Sequence, residues 1–256
     1  MKTDWIGYHI DTWLSFSTVN GLTVSGSGQV NGQGPIWWEN ACIGTPPPAL
    51  MFKRCNDLRL NGLTHINSPR VHITITTCNN VIVSNLHIIA PETSPNTDGI
   101  NIASSTNVNI RDSVIETGDD CIAISGGSSN VKISGIMCGP GHGISIGALG
   151  KGGADVVENI EVRNCTMQKT LAGVRIKSWQ TSAIKLSDIS YNGIMGTSMM
   201  DSVINLSCSE SVACTNIAMD NVYISSVIPG RKVFGKCINA HGRISHVKPW
   251  FNCLKP

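Results

Sequence analysis

The sequence predicts an all-β fold, a right-handed parallel β-helix, and three observations carry that expectation. The first is a short alternating strand that recurs at one period. Asp98-Gly99-Ile100-Asn101-Ile102, Asp120-Cys121-Ile122-Ala123-Ile124 and His142-Gly143-Ile144-Ser145-Ile146 each start 22 residues after the one before. A constant period of this size marks a solenoid, with one supersecondary unit per coil. The second is a series in another register, a polar residue followed by two apolar residues in alternation. It starts at Asp57, Asn80, Asn107, Asn130, Asn159, Ala183 (Ala183-Ile184-Lys185-Leu186) and Asn216, with Gly21-Leu22-Thr23-Val24 as an earlier rung. The third is composition: 26 glycines, 14 % charged and 5 % aromatic residues suit short strands and tight turns better than helices. A β-sandwich, with strands every 8–12 residues or about that, leaves the doubled 22-residue period unexplained.

Taken in order, the chain reads as one domain over residues 1–256. Trp13-Leu14-Ser15-Phe16 begins a strand almost at once, so residues 1–12 read as an incomplete N-terminal edge. The cap that a solenoid needs over its open first coil is not evident. Trp37-Trp38 reads as core or cap packing, with a sugar platform as the alternative, and Gly26-Ser27-Gly28 lacks the context of a nucleotide loop. Excess length over one period falls in turn-rich insertions, such as those from Pro91 to Asn96 and from Gly147 to Gly153. In repeat folds such insertions gather on one face, often the binding face. His9, His65, His72, His87, His241 and His246 read as surface or turn histidines, and residues 237–256 as a C-terminal cap or tail.

A net charge of +2 and a pI near 8.0 give no footprint for nucleic acid, and no long apolar run suggests a membrane span. Ten cysteines point to an oxidising compartment and none has zinc-site spacing. Cys121 and Cys138, Cys208 and Cys214, and Cys237 and Cys253 are noticeable as pairs, although connectivity stays open. Asn164-Cys165-Thr166 and Asn205-Leu206-Ser207 are glycosylation sequons, whereas no signal peptide opens the chain.

Stacked in register, Asp98, Asp120 and His142 form a column at the mouths of three adjacent strands, with neighbours about 4.8 Å apart. Asp119 adds a third carboxylate. Carboxylates this close cannot all ionise freely, so at least one pKa is raised. One protonated acid beside an ionised base is what glycosidic cleavage requires. One coil on, Arg175 falls in phase with Asn101, Ala123 and Ser145 on the outward face, and Lys177 points the same way. Two cations flanking a carboxylate cluster suggest an anionic substrate. They also argue against a bound metal, and no cofactor is expected.

Asn96-Thr97-Asp98, Gly118-Asp119-Asp120, Gly141-His142-Gly143 and Arg175-Ile176-Lys177 resemble, in order and spacing, the four motifs of pectin-cleaving polygalacturonases, the family 28 glycoside hydrolases. The flanking wording (Val19-Asn20-Gly21-Leu22, Asn67-Ser68-Pro69, Ser94-Pro95) looks like the plant branch. The resemblance implies hydrolysis of α-1,4-linked galacturonate by an inverting mechanism without metal. Asp119 would be the general acid, Asp98 and Asp120 would activate water, and His142 would support the acid. Arg175 and Lys177, with Asn96, would bind substrate. It implies a secreted, cell-wall protein, monomeric, with pectin as its partner. Two departures stand out. The chain reads as lacking the usual N-terminal cap, and after Gln180 the sequence jumps at Thr181-Ser182 to a later rung, as though a coil were deleted together with the cleft tyrosine; Tyr191 and Tyr223 lie in other contexts. The alternatives are a catalytically weak or inactive pectin-binding paralogue and a calcium-dependent pectate lyase on a similar β-helix.

Overall fold

The computed structural model describes residues 12–39, 46–150, 156–180 and 183–254. Residues 1–11, most of the expected N-terminal edge, lie outside them, as do Thr181-Ser182 and the end of the 147–153 insertion. The described chain winds as a parallel β-helix, right-handed as crossovers between parallel strands are. One sheet runs in chain order through Leu14–Ser17, Leu50–Lys53, Ile73–Thr76, Ile100–Ala103, Asp120–Ile124, Gly143–Leu149, Val174–Ser178, Ser202–Ser207 and Phe234–Ile238. The second runs through Thr23–Ser25, Asn56–Asn61, Asn79–Ser84, Thr106–Glu116, Ser129–Cys138, Val156–Thr170, Lys185–Ser198, Cys214–Ser226 and Ala240–Lys248. Early coils have a separate third wall of Gln29–Asn31, Thr64–Ile66 and His87–Ile89. That wall is continued by the far half of Thr106–Glu116, where Val114 pairs with His87.

Alternation builds the core. In the first sheet Ile73/Ile75, Ile100/Ile102, Ile122/Ile124, Ile144/Ile146 and Val174/Ile176 point inward and stack in register, all essentially without exposure. Leu58/Leu60, Val81/Val83, Val108/Ile110, Val131/Ile133 and Ile160/Val162 do the same from the second. β-Branched side chains suit such a pleated, buried surface. Each coil rests on its neighbours, so no coil needs to be stable alone.

The polar residue that opens each second-sheet rung has a structural duty. Asp57, Asn80, Asn107, Asn130, Asn159, Asp188 and Asn216 all turn the corner with φ between 53° and 59°. Asn and Asp tolerate this left-handed conformation better than other non-glycine residues. Several also ladder from coil to coil: Asn80 Nδ2 donates to Asp57 Oδ1 at 2.5 Å, Asn159 to Asn130 and Asn216 to Asp188 at the same distance. This corrects one rung. The corner after Asn159 is Asp188-Ile189-Ser190-Tyr191, with Ile189 opposite Ile160 and Tyr191 opposite Val162, not Ala183-Ile184-Lys185-Leu186. Ile184 and Leu186 are buried, but ahead of the corner at Asp188; alanine is a poor occupant of the corner.

Two histidines also differ from expectation. His65 is buried in the apolar column of the third wall, between Val30 and Ile88, and neither ring nitrogen has a partner among the described residues. His72 is buried at the head of Ile73–Thr76. Burial pushes both imidazoles down to about 4, so both are neutral near pH 7. The three noticed cysteine pairs are disulfides, Cys121–Cys138, Cys208–Cys214 and Cys237–Cys253, while Cys55, Cys78 and Cys165 are buried thiols. Residues expected to form the C-terminal cap still supply a rung as far as Lys248. Only the segment beyond it folds back, with Phe251 and Leu254 buried.

Candidate active site

The four sequence motifs converge on four consecutive strands of the first sheet. Asp98, Asp119 and His142 sit just ahead of their strands and Asp120 begins one, while Arg175 and Lys177 project from the outer face of Val174–Ser178. Asn101, Ala123, Ser145 and Arg175 form one outward column, as the spacing predicts. A plain 22-residue stack sets His142 beside Asp120. The pairing instead puts Asp120 opposite Gly143 and Ile122 opposite Ile144, so Cys121 is the extra residue of a bulge. This one-residue slip delivers His142 to Asp119. The His142 N–H donates to the Asp119 carbonyl at 2.8 Å, and His142 Nδ1 lies 2.8 Å from Asp119 Oδ1.

Asp120 is 3 % exposed, and it is fully engaged. Ser145 Oγ donates to its Oδ1 at 2.7 Å, Arg175 also donates to Oδ1, and Lys177 Nζ lies 3.0 Å from Oδ2. Arg175 Nε donates in turn to Ser145 Oγ at 3.1 Å. A buried carboxylate is tolerated only when paired and hydrogen-bonded in this way. The same contacts orient the two cations beside the acids.

The loops around the acids are held by small side chains. Ser94 and Thr97 are buried with their hydroxyls 2.6 Å apart, and Thr97 Oγ1 accepts the Gly118 N–H at 3.0 Å. Thr97 therefore ties the Asp98 loop to the Asp119 loop. Gly118 must be glycine, because a Cβ there would meet the Ser94 carbonyl oxygen at 2.0 Å. Asp98 is pushed up to about 7 by burial and by the neighbouring charges of Asp119 and Asp120, with the Asn101 side chain opposing the rise. Burial also pushes Asp119 upward, but the hydrogen bond and charge of His142 and the Asp120 N–H at 2.8 Å outweigh it and hold Asp119 below its usual range.

Six of the seven expected site residues are thus brought together. Asp98 joins them through the charges of Asp119 and Asp120, whereas Asn96 stands apart: it is exposed, with φ of 56°, and lines a cavity with Trp37, Trp38 and Arg70. Sequence reasoning missed Ser145 and Thr97. Ser145's place between Ala123 and Arg175 in the outward column was the available signal, whereas nothing in the spacing distinguishes Thr97. Tyr191 is wholly buried and Tyr223 lies on the second sheet, so neither belongs to the site. Asp119, Asp120 and His142 offer ligand atoms within 4.8 Å of one another, a spacing a cation can use, but Arg175 and Lys177 already neutralise Asp120. A small cavity of about 110 Å³ borders His142, with Glu92, Lys169 and Leu171 in its wall.

Comparison with known proteins bears on the family and the fold. The profile of glycosyl hydrolases family 28 matches residues 2–192 and 179–246. A probable polygalacturonase of Arabidopsis thaliana is 41 % identical over 298 aligned positions, covering 99 % of this chain and 65 % of the relative. Those positions outnumber the 256 residues here, so the alignment opens gaps within this chain. A polygalacturonase of Malus domestica is 37 % identical, covering 85 % of this chain and 58 % of its own length. The chain therefore spans less than two thirds of these relatives. Among solved structures, the endo-xylogalacturonan hydrolase of Aspergillus tubingensis superposes with a TM-score of 0.74 at 22 % identity, over 93 % of this chain and 73 % of that one. The Erwinia carotovora polygalacturonase follows at 0.66 and 24 %, over 87 % and 72 %, and these two likenesses speak for the fold. With the profile matched along most of its length, this chain belongs to the glycosyl hydrolases of family 28.

Proposed function

We propose that the protein hydrolyses α-1,4 bonds between galacturonic acid residues of pectin or polygalacturonate by an inverting acid/base mechanism. The observation that carries this is one cluster in which Asp98, pushed up to about 7 by burial and its two carboxylate neighbours, stands with Asp119 and Asp120 beside two fixed cations. Asp119 is the general acid: it is the partly exposed member of the Asp119–Asp120 pair, 24 % open, and His142 orients it. Asp98 and Asp120 activate the water. Asp98 holds its proton up to about pH 7 while Asp119 is held below its usual range, so we assign substrate binding the task of moving that proton. Expelling water from the cleft raises Asp119, and the proton passes within the coupled cluster to the group facing the glycosidic oxygen. Arg175 and Lys177 retain unused N–H donors after binding Asp120, and these grip the substrate carboxylate, with Asn96 contributing from its loop. Disulfides fit an extracellular, cell-wall setting, and the protein acts as a monomer without metal or cofactor.

The test is release of reducing ends from polygalacturonate by the full chain and by its Asp119→Asn variant. The expected result is release by the parent and a loss of at least about a hundredfold in the variant, the scale of general acid catalysis. An unsaturated, ultraviolet-absorbing product lost on chelation marks a pectate lyase instead. The gaps opened by alignment with longer relatives favour a second reading, a weak or inactive pectin-binding paralogue. Binding without release from folded protein supports that reading.

A further inference from the structure

The cavity that takes in Asn96 is a built feature of about 270 Å³, walled by Trp37, Trp38, Pro69 and Pro95, with Arg70 and Asn96 as its polar members. Its aromatic wall is fixed. Trp38 Nε1 donates to the Pro69 carbonyl at 3.2 Å, and the Gly34 N–H donates to the Asn67 carbonyl at 2.7 Å. Trp38 lies so close over Gly34 that a Cβ there would meet its ring at 2.3 Å. The short helix Pro35–Trp38 is thereby bound to the loop that carries Arg70. That loop leads into His72, whose backbone N–H and Nδ1 lie 2.8 Å and 3.0 Å from the Asp98 carbonyl oxygen. Arg70 is exposed and has no ion pair among the described residues. The strand after Arg70, Ile73–Thr76, is two rungs before Asp120–Ile124, roughly 10 Å along the axis at the usual strand spacing.

We propose that Trp37, Trp38 and Arg70 form a subsite for a further uronic acid unit of the substrate chain, on the N-terminal side of the acid cluster. The inference rests on the hydrolase reading above and extends it. A pyranose ring has apolar C–H faces that suit an indole wall, and rings of this size supply contact area at small entropic cost. Each unit of polygalacturonate also bears a carboxylate, which an unpaired guanidinium binds through two parallel hydrogen bonds. An aromatic wall alone suits core packing. An aromatic wall beside an arginine with no ion pair among the described residues, in a cavity shared with Asn96, suits an acidic sugar.

The test is steady-state kinetics of the full chain, Arg70→Gln, Arg70→Lys and Trp37→Leu on oligogalacturonates of increasing length. Calorimetric titration with the longest oligomer and thermal melting accompany it. The KM ratio of Arg70→Gln to parent is expected to grow with chain length to about tenfold, with kcat moving far less and Arg70→Lys recovering part of the loss. Trp37→Leu is expected to show the same dependence on length. A KM ratio independent of length, in variants that melt like the parent, overturns the subsite and leaves the hydrolase reading intact. If the parent does not cleave, weaker binding by Arg70→Gln still supports the subsite, and equal binding overturns it. Absence of both cleavage and binding sinks both readings.

Discussion

Asp98 keeps its proton to about pH 7 because burial and two neighbouring carboxylates penalise its charge. An unfolded aspartate loses its proton near pH 4. Below that both states are protonated and Asp98 costs nothing. As pH rises from about 4 to 7 only the unfolded state releases the proton, so stability falls, and above about 7 the full cost is felt. Asp98→Asn is therefore expected to gain about 1–3 kcal/mol over the parent at pH 8 and almost nothing at pH 4, read by denaturant unfolding at both. In the proposed mechanism the same proton serves catalysis, so kcat/KM should fall as pH rises through about 7. A limb well below that pH contradicts Asp98 as the proton store. Ser145 is a second residue with a defined role, bridging Asp120 to Arg175 while fully buried. Ser145→Ala is expected to leave Asp120 and Arg175 with unmade bonds, costing about 1–3 kcal/mol of stability and raising KM more than it lowers kcat.

At the scale of the element, the bulge at Cys121 and the left-handed corners shape the site and the coil. The corner residue Asn130 has φ of 54° and accepts the Asn159 ladder bond at 2.5 Å. Asn130→Val is expected to cost more than Asn130→Gly, which loses the ladder but keeps the conformation, by about 1 kcal/mol or more in urea unfolding. Much of this was legible in advance. The 22-residue period marks the strands, because isoleucine alternation and strand pairing share one geometry. The Arg175 column follows for the same reason. The slip that carries His142 from Asp120 to Asp119 was not legible, since a bulge adds a residue to one strand without altering the apolar pattern. The Ala183 rung failed because apolar alternation was read without asking which residue tolerates a left-handed corner, and Asp188 was the answer. His65 looked like a surface residue because a lone imidazole in an apolar column has no sequence mark.

At the scale of the whole molecule, a solenoid separates chemistry from length. Asp98, Asp119, Asp120, His142, Arg175 and Lys177 come from four consecutive coils, and each coil contacts chiefly its neighbours. Stacking continues across Gln180, with Val174–Ser178 paired to Ser202–Ser207 and Val156–Thr170 paired to Lys185–Ser198. The described residues therefore carry these six side chains on a continuous core. The central claim is that this cluster inverts an α-galacturonosyl bond by direct attack of water. Proton NMR of polygalacturonate during digestion by the full chain tests it most directly. The account predicts new reducing ends that emerge first as the β anomer and then mutarotate, with no unsaturated product. Reducing ends that emerge first as the α anomer, an unsaturated product, or no release from folded protein would contradict it.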